Sequence, residues 1–131
     1  MSEGRRVVAG LGCRPLCAAE AVIALLYQAA QTAPFSMVAI PEFRTGADGL
    51  MEALTRLGYP VQVISMAALQ DVQHRCVTRS AAALRTTGLA SVAEAAALAA
   101  AGPLAHLILP RIAADGVSCA LAAASATEGM A

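Results

Sequence analysis

The spacing of apolar and polar residues changes repeatedly along the chain, between the two-residue period of strands and the 3.6-residue period of helices. Arg6 to Gly10 is a short β-branched run closed by glycine, as expected of a buried strand. From Ala18 to Gln31 the apolar residues Val22, Leu25, Leu26 and Ala29 recur at helical spacing, and Pro34 fences that helix off. "FSMVAI" (35–40) predicts a second strand, "PEFRTGADG" a loop, and "LMEALTRLG" a helix with Gly58 at its C-terminal cap. "YPVQVIS" predicts a third strand, and Met66 to Thr78 a short helix, "MAALQDV", followed by a mixed connection. "SAAALRTTG" and "SVAEAAALAAAG" are two helices each closed by glycine, the second opening on an S-x-x-E capping box formed by Ser91 and Glu94. "LAHLILP" (104–110) predicts a fourth strand, and "GVSCALAAASA" is either a fifth strand or a last helix.

Strands that alternate with helices imply βαβ crossovers, because two parallel strands are joined by a helix lying on one face of the sheet. The expected fold class is therefore α/β: a single three-layer, doubly wound domain over residues 1–131, with a mainly parallel sheet of about five strands. In such a sheet, ligands bind beyond the carboxyl ends of the strands. That rule selects the loops "GLGCRPLC", "PEFRTGADG", "ISMAAL" and "PRIAADGVS".

Composition narrows the function. The chain is 58% hydrophobic but only 3% aromatic, and 33 of its 131 residues are alanine, so its apolar content is made of small side chains. That alanine bias suits helices and carries no function by itself. All nine basic residues are arginine and nine acids balance them. A formal charge of zero gives no field to attract nucleic acid or anionic lipid, so neither is an expected partner. The alanine-rich stretches are interrupted by Glu94, Gly102, Pro103 and His106, too often for a membrane span. The start "MSEGRR" is not followed by the unbroken apolar core of a secretory signal, so a cytoplasmic protein is expected. Cys13, Cys17, Cys76 and Cys119 do not make a disulfide framework in a chain of this length and are expected to stay thiols.

The candidate chemistry gathers at the first loop. Gly10 and Gly12 lack the third glycine of a dinucleotide fingerprint, and the G-K-[ST] ending of a P-loop is absent. What remains is a glycine turn feeding a helix N-terminus, a favourable place for a carboxylate, with Arg14 able to grip it through two hydrogen bonds. Cys13 and Cys17 form C-x-x-x-C, which is neither a redox pair nor half of a zinc site, so no metal is expected. Cys13, just before a helix, is a candidate nucleophile set against a plain buried thiol. Glu94 is a candidate base set against a plain helix cap. Arg44, Arg111 and Ser118 sit at strand-end loops and, with Ser91, complete the candidate ligand-binding set. His74 is expected to be solvated, and His106 to be a core or strand-edge residue.

Taken together, "GLGCRPLCAAEAV", "FRTGADGLMEALTRLGYPVQVIS", "TRSAAALRTTGLASVAEAAALAAAG" and "LILPRIAADGVSCALA" resemble, in order and spacing, the cobalamin-biosynthesis CobE family, which is also the C-terminal domain of CbiG. The resemblance covers nearly the whole chain. It implies a doubly wound domain acting in corrin ring synthesis, whose two-domain relatives open the δ-lactone of cobalt-precorrin-5A and release acetaldehyde. Where the family commonly carries lysine, this chain has Arg44 and Arg111, and Ser118 stands for a threonine. The implied ligand is a corrin intermediate of precorrin or cobalt-precorrin type, held through Arg14, Arg44, Arg111 and the glycine turn. The role is that of an accessory protein or carrier, or of a component of the ring-contraction stage. Two alternatives stand beside it: a hydrolase opening the lactone with Glu94 or Cys13 as base or nucleophile, and a docking module for another pathway enzyme. No cofactor is implied, and whether the chain is catalytic or forms a homodimer stays open.

Overall fold

The computed structural model describes residues 5–125. In chain order these form β1 (Arg5–Cys13), α1 (Ala19–Ala30), β2 (Met37–Pro41), α2 (Asp48–Leu57), β3 (Val61–Ile64), α3 (Met66–Asp71), α4 (Ala81–Thr87), α5 (Val92–Ala101), β4 (His106–Ala114) and β5 (Val117–Ser125). The five strands make one sheet in the order β3-β2-β1-β5-β4. β1 pairs in parallel with β2, and β2 with β3, whereas β5 lies antiparallel to both β1 and β4. The α/β class is as expected. The sheet is mixed, with β5 the one strand that runs against the other four.

β5 settles the open reading of "GVSCALAAASA" in favour of a strand, and the turn before it gives the reason. Asp115 and Gly116 both have positive φ, 54° and 81°, as the two central residues of a type I′ hairpin require. That turn reverses the chain within two residues, so Ala114 faces Val117 and the strand after it returns antiparallel. β4 lies at the sheet edge, where Pro110 costs no ladder bond in the interior. Its register against β5 shifts between Leu107 and Leu109, just before the proline, and again between Leu109 and Ile112, across it. His106 stands exposed at the start of this edge strand, and His74 is exposed as well.

Alternation along β1 divides the interior into two cores. Val7, Ala9 and Leu11 pack with α1 and α2 on one face, while Val8 joins α3 and α5 on the other. This places helices on both sides of the sheet, the doubly wound arrangement. α5 is exceptional because Ala93, Glu94, Ala95, Ala96, Ala97, Leu98, Ala100 and Ala101 are all buried. Gly10 explains how: a Cβ there would run into the Ala93 carbonyl oxygen and the Ala97 amide nitrogen, so the helix lies directly on the strand backbone. The alanines of α5 therefore have a packing role, since larger side chains would hold the helix off the sheet. Among the described residues no helix is long and apolar enough to cross a membrane.

Candidate functional site

A cleft of about 600 Å³ opens where β1, β2 and β4 end and β5 begins. This is the carboxyl edge of the parallel strands, on the side where the connecting helices change face. Gly12, Cys13 and Arg14 reach it from the end of β1, Phe43 and Arg44 from the turn after β2, and Arg111 and Ala113 to Ser118 from the β4–β5 hairpin. The remaining wall is one side of α4, through Ala82, Ala83, Thr86 and Thr87, with Ser80 before it and Val92 at the start of α5. The lining is mostly small apolar residues with hydroxyl-bearing ones between, and it includes three arginines and one acid, Asp115. A second hollow of about 760 Å³ adjoins it across Arg14, Pro15, Asp115 and Gly116, and reaches Leu16, Cys17 and Ala18 at the start of α1.

The three arginines are held differently. Arg44 donates from Nε to the Cys13 carbonyl oxygen at 2.6 Å, and its guanidinium carbon sits 5.0 Å from the centre of the Phe43 ring. Two anchors from two elements fix its direction and leave much of its donor fork free. Arg14 lays its aliphatic stem against Gly116, while its backbone N–H donates to the Gly116 carbonyl oxygen at 2.9 Å. Arg111 is tethered through its backbone alone, its N–H donating to Glu94 Oε2 at 2.9 Å. Among the described residues the only ion pairs are those of Arg56 with Glu20 and Glu52, and no described carboxylate forms an ion pair with any of these three arginines.

Glu94 lies fully buried on the first turn of α5 and does not line the cleft. Oε1 accepts the N–H groups of Val77 at 2.8 Å and Thr78 at 3.0 Å, and Oε2 accepts the Thr78 hydroxyl at 2.6 Å besides Arg111. Four donors occupy the four lone-pair positions of the carboxylate. Burial by itself would raise its pKa, but the Thr78 hydroxyl and the N–H groups of Arg111, Thr78 and Val77 outweigh it, and the pKa falls below 4.5. The capping box is thus only half formed. Ser91 Oγ accepts the Glu94 N–H at 3.3 Å, but the carboxylate, instead of returning to the Ser91 N–H, ties α5 to two other segments.

The remaining sequence candidates separate in the same way. Gly12 lines the cleft floor, where a Cβ would stand 2.8 Å from Ser118 Oγ, and that hydroxyl donates to the Gly12 carbonyl oxygen at 3.4 Å. Gly10 is buried beneath α5 and Ser91 is a buried N-cap, so neither reaches the cleft. The expected glycine turn is itself strand: β1 runs straight through Gly10 and Gly12 to Cys13, because β5 pairs with it over its whole length. The Cys13 thiol is pushed up to about 12, chiefly by burial and then by its hydrogen bond to Cys17, with Arg44 pulling weakly the other way. A thiol so placed stays protonated near neutrality and makes a poor nucleophile. No cluster of three or more His, Cys, Asp or Glu able to hold a metal occurs among the described residues.

Sequence reasoning missed α4 as a wall and the Asp115–Gly116 hairpin. The second had a signal in the Asp-Gly pair flanked by apolar residues. Phe43 was equally legible only in part, since it sits inside the "PEFR" loop but gave no hint of stacking on its neighbour.

Comparison with known proteins bears on the whole domain. Residues 7–122 match the family model described as Cobalamin synthesis G C-terminus. The chain is similar to the crystal structure of CobE, a protein from the cobalamin (vitamin B12) biosynthetic pathway, with a TM-score of 0.83 and 37% identity, covering 92% of this chain and 91% of that one. It is also similar to the crystal structure of cobalamin biosynthesis protein chiG from Agrobacterium tumefaciens str. C58, with a TM-score of 0.70 and 36% identity, covering 88% of this chain and 96% of that one. No curated protein sequence matches it.

Proposed function

The chain belongs to the Cobalamin synthesis G C-terminus family and takes part in cobalamin biosynthesis, and from that premise we propose that its cleft binds an anionic corrin-ring intermediate of the pathway. The observation that carries the reading is the meeting of Arg14, Arg44 and Arg111, from three separate segments, around one cleft with small apolar walls. Corrin intermediates are broad apolar rings edged with acetate and propionate carboxylates. Guanidinium groups grip carboxylates in pairs of hydrogen bonds, and an apolar wall of alanine and valine accepts a ring face. Gly12 keeps the floor low, because a side chain there would project into the space beside Ser118 and Val92.

The role is that of an accessory protein or carrier. Of the two residues offered for hydrolysis, Glu94 has no lone pair facing the cleft and Cys13 has a strongly raised pKa. Both point away from bond breaking by this chain alone, and binding needs neither.

The test is retention of pigment. Purified protein incubated with a pool of precorrin and cobalt-precorrin intermediates is expected to carry a coloured species through gel filtration. Arg14→Ala and Arg111→Ala are each expected to weaken retention about tenfold, as the loss of one charge-assisted contact implies. Raising the salt to about 0.5 M weakens it further by screening. A colourless protein peak, or a coloured one indifferent to both substitutions, overturns the proposal. Release of acetaldehyde by the chain alone replaces the carrier with a hydrolase.

A further inference from the structure

α4 is the anomaly of the fold. Each other α helix buries at least one residue, but none of the seven residues of α4 is buried. Its sequence does not make it a solvent helix either. Ala82 and Ala83 border the cleft together with Thr86 and Thr87, one turn further along the same side. The hydroxyls of Thr86 and Thr87 are turned back onto the carbonyl oxygens of Ala82 and Ala83, at 3.0 and 2.6 Å, which removes their polarity from that side. The helix therefore offers a small, internally satisfied face to a cleft whose lining also includes Arg14, Arg44 and Arg111.

The two ends of α4 are, by contrast, firmly fixed. Ahead of it, Val77 and Thr78 are pinned to the buried Glu94 carboxylate by three hydrogen bonds. Behind it, Leu89 and Ala90 are buried, and the Ala90 N–H donates to Gln73 Oε1 at 2.7 Å. The Ser80 N–H donates to the Ala90 carbonyl oxygen at 2.8 Å, which closes the segment at its base like a clasp. Between those points Ser80 caps the helix start, accepting the Ala83 N–H at 3.1 Å, and Gly88 ends it at φ 77° with open space around its Cα. A capped, self-contained helix on a fixed base, packed against little, can move as a unit at small energetic cost.

We infer that residues 81–88 form a movable wall that closes onto the ligand of the cleft, so that the bound corrin-ring intermediate supplies the packing partner α4 lacks. The inference rests on the reading of the cleft given above. Glu94 is then a positioning residue. Its carboxylate joins the base of the moving wall to the Arg111 N–H, and so sets the gap between the wall and one of the cations.

Hydrogen exchange by mass spectrometry, with the pigment bound and absent, tests it. In the free protein the amides of α4 are expected to exchange at least tenfold faster than those of α5. On saturation with the precorrin pool, confirmed by co-eluting absorbance, exchange in α4 is expected to slow tenfold or more. A second arm uses Ala83→Asp. The aspartate occupies the third position of the helix, where a negative charge suits the helix N-terminus, so the thermal midpoint is expected to stay unchanged. The same charge facing the cleft is expected to cut pigment retention tenfold or more. Pigment retained with α4 exchange unaltered, or retained undiminished by Ala83→Asp, overturns the wall and leaves the binding reading standing. Failure to retain pigment at all overturns both.

Discussion

The backbone N–H of Arg111 meets Oε2 of Glu94 at 2.9 Å, across a place where the edge strand has lost its regular pairing. A bulge in β4 sets one amide free of the ladder, and a buried carboxylate on α5 takes it up. The backbone of a cleft-lining arginine is thus positioned by a carboxylate that does not itself line the cleft.

Glu94→Gln is expected to cost about 3 kcal/mol of folding stability. The carboxamide can accept at one end only, and its NH₂ would face an N–H or O–H donor that the carboxylate now satisfies. Urea denaturation gives the difference directly. A loss below about 1 kcal/mol would mean that the four-donor network contributes little.

The same group predicts an acid limb. Its folded-state pKa is depressed below 4.5, so the unfolded chain binds the extra proton first and stability falls as pH falls. The contribution is complete above pH 4.5 and is lost progressively as pH drops toward the folded value. Thermal midpoints across this range should decline in the wild type and decline less steeply in Glu94→Gln.

Gly10→Ala is expected to destabilise by roughly 3 kcal/mol, because the methyl group would meet helix backbone that cannot yield without lifting α5 off β1. Gly46→Ala, where nothing lies within 4 Å, should stay within about 0.5 kcal/mol of wild type. Equal effects at the two glycines would contradict the close helix–strand contact.

The thiols supply an alkaline counterpart. Burial pushes Cys13 and Cys119 up to about 12 and Cys76 to about 11, from 9.0. Their contribution to stability is intact below pH 9 and is lost as pH rises toward 11 to 12. Alkylation of the native protein at pH near 8 should accordingly be slow at these three positions and rapid after unfolding. Fast, selective labelling of Cys13 in the folded state would restore it as a nucleophile.

Arg44→Lys should retain less pigment than wild type but more than Arg44→Ala. Lysine keeps the charge, yet it has no counterpart to the Nε–H that holds the Cys13 carbonyl oxygen and no planar group to lie over Phe43. Identical retention by Arg44→Lys and wild type would reduce Arg44 to a point charge.

The first half of the fold was legible because its punctuation is local. Pro34 and Gly58 mark boundaries wherever they occur, and β2 and α2 lie within a few residues of the predicted spans. Arg14 and Arg44 were recoverable for a related reason: the strand-end rule needs only the alternation of elements, and both follow the end of a strand, whereas Arg111, expected in a loop beginning at Pro110, lies inside β4, which runs on to Ala114 to pair with β5. What could not be read depends on distant partners. The extension of β1 to Cys13 is set by β5, more than a hundred residues later. Glu94 had a sufficient local explanation in Ser91, and only the fold brings Thr78 and the Arg111 amide to it. The alanines of α5 looked like composition until Gly10 was found beneath them.

β5, last of the strands to be synthesised, occupies an inner place between β1 and β4. A nascent chain emerging from the ribosome therefore cannot complete its sheet in order of arrival. β1 must wait with one edge open, and β4 without any neighbour, until residues 117–125 slot between them. Such late, long-range closure slows folding and leaves a sticky intermediate. Truncation before Val117 is thus expected to yield aggregates and not a smaller folded unit.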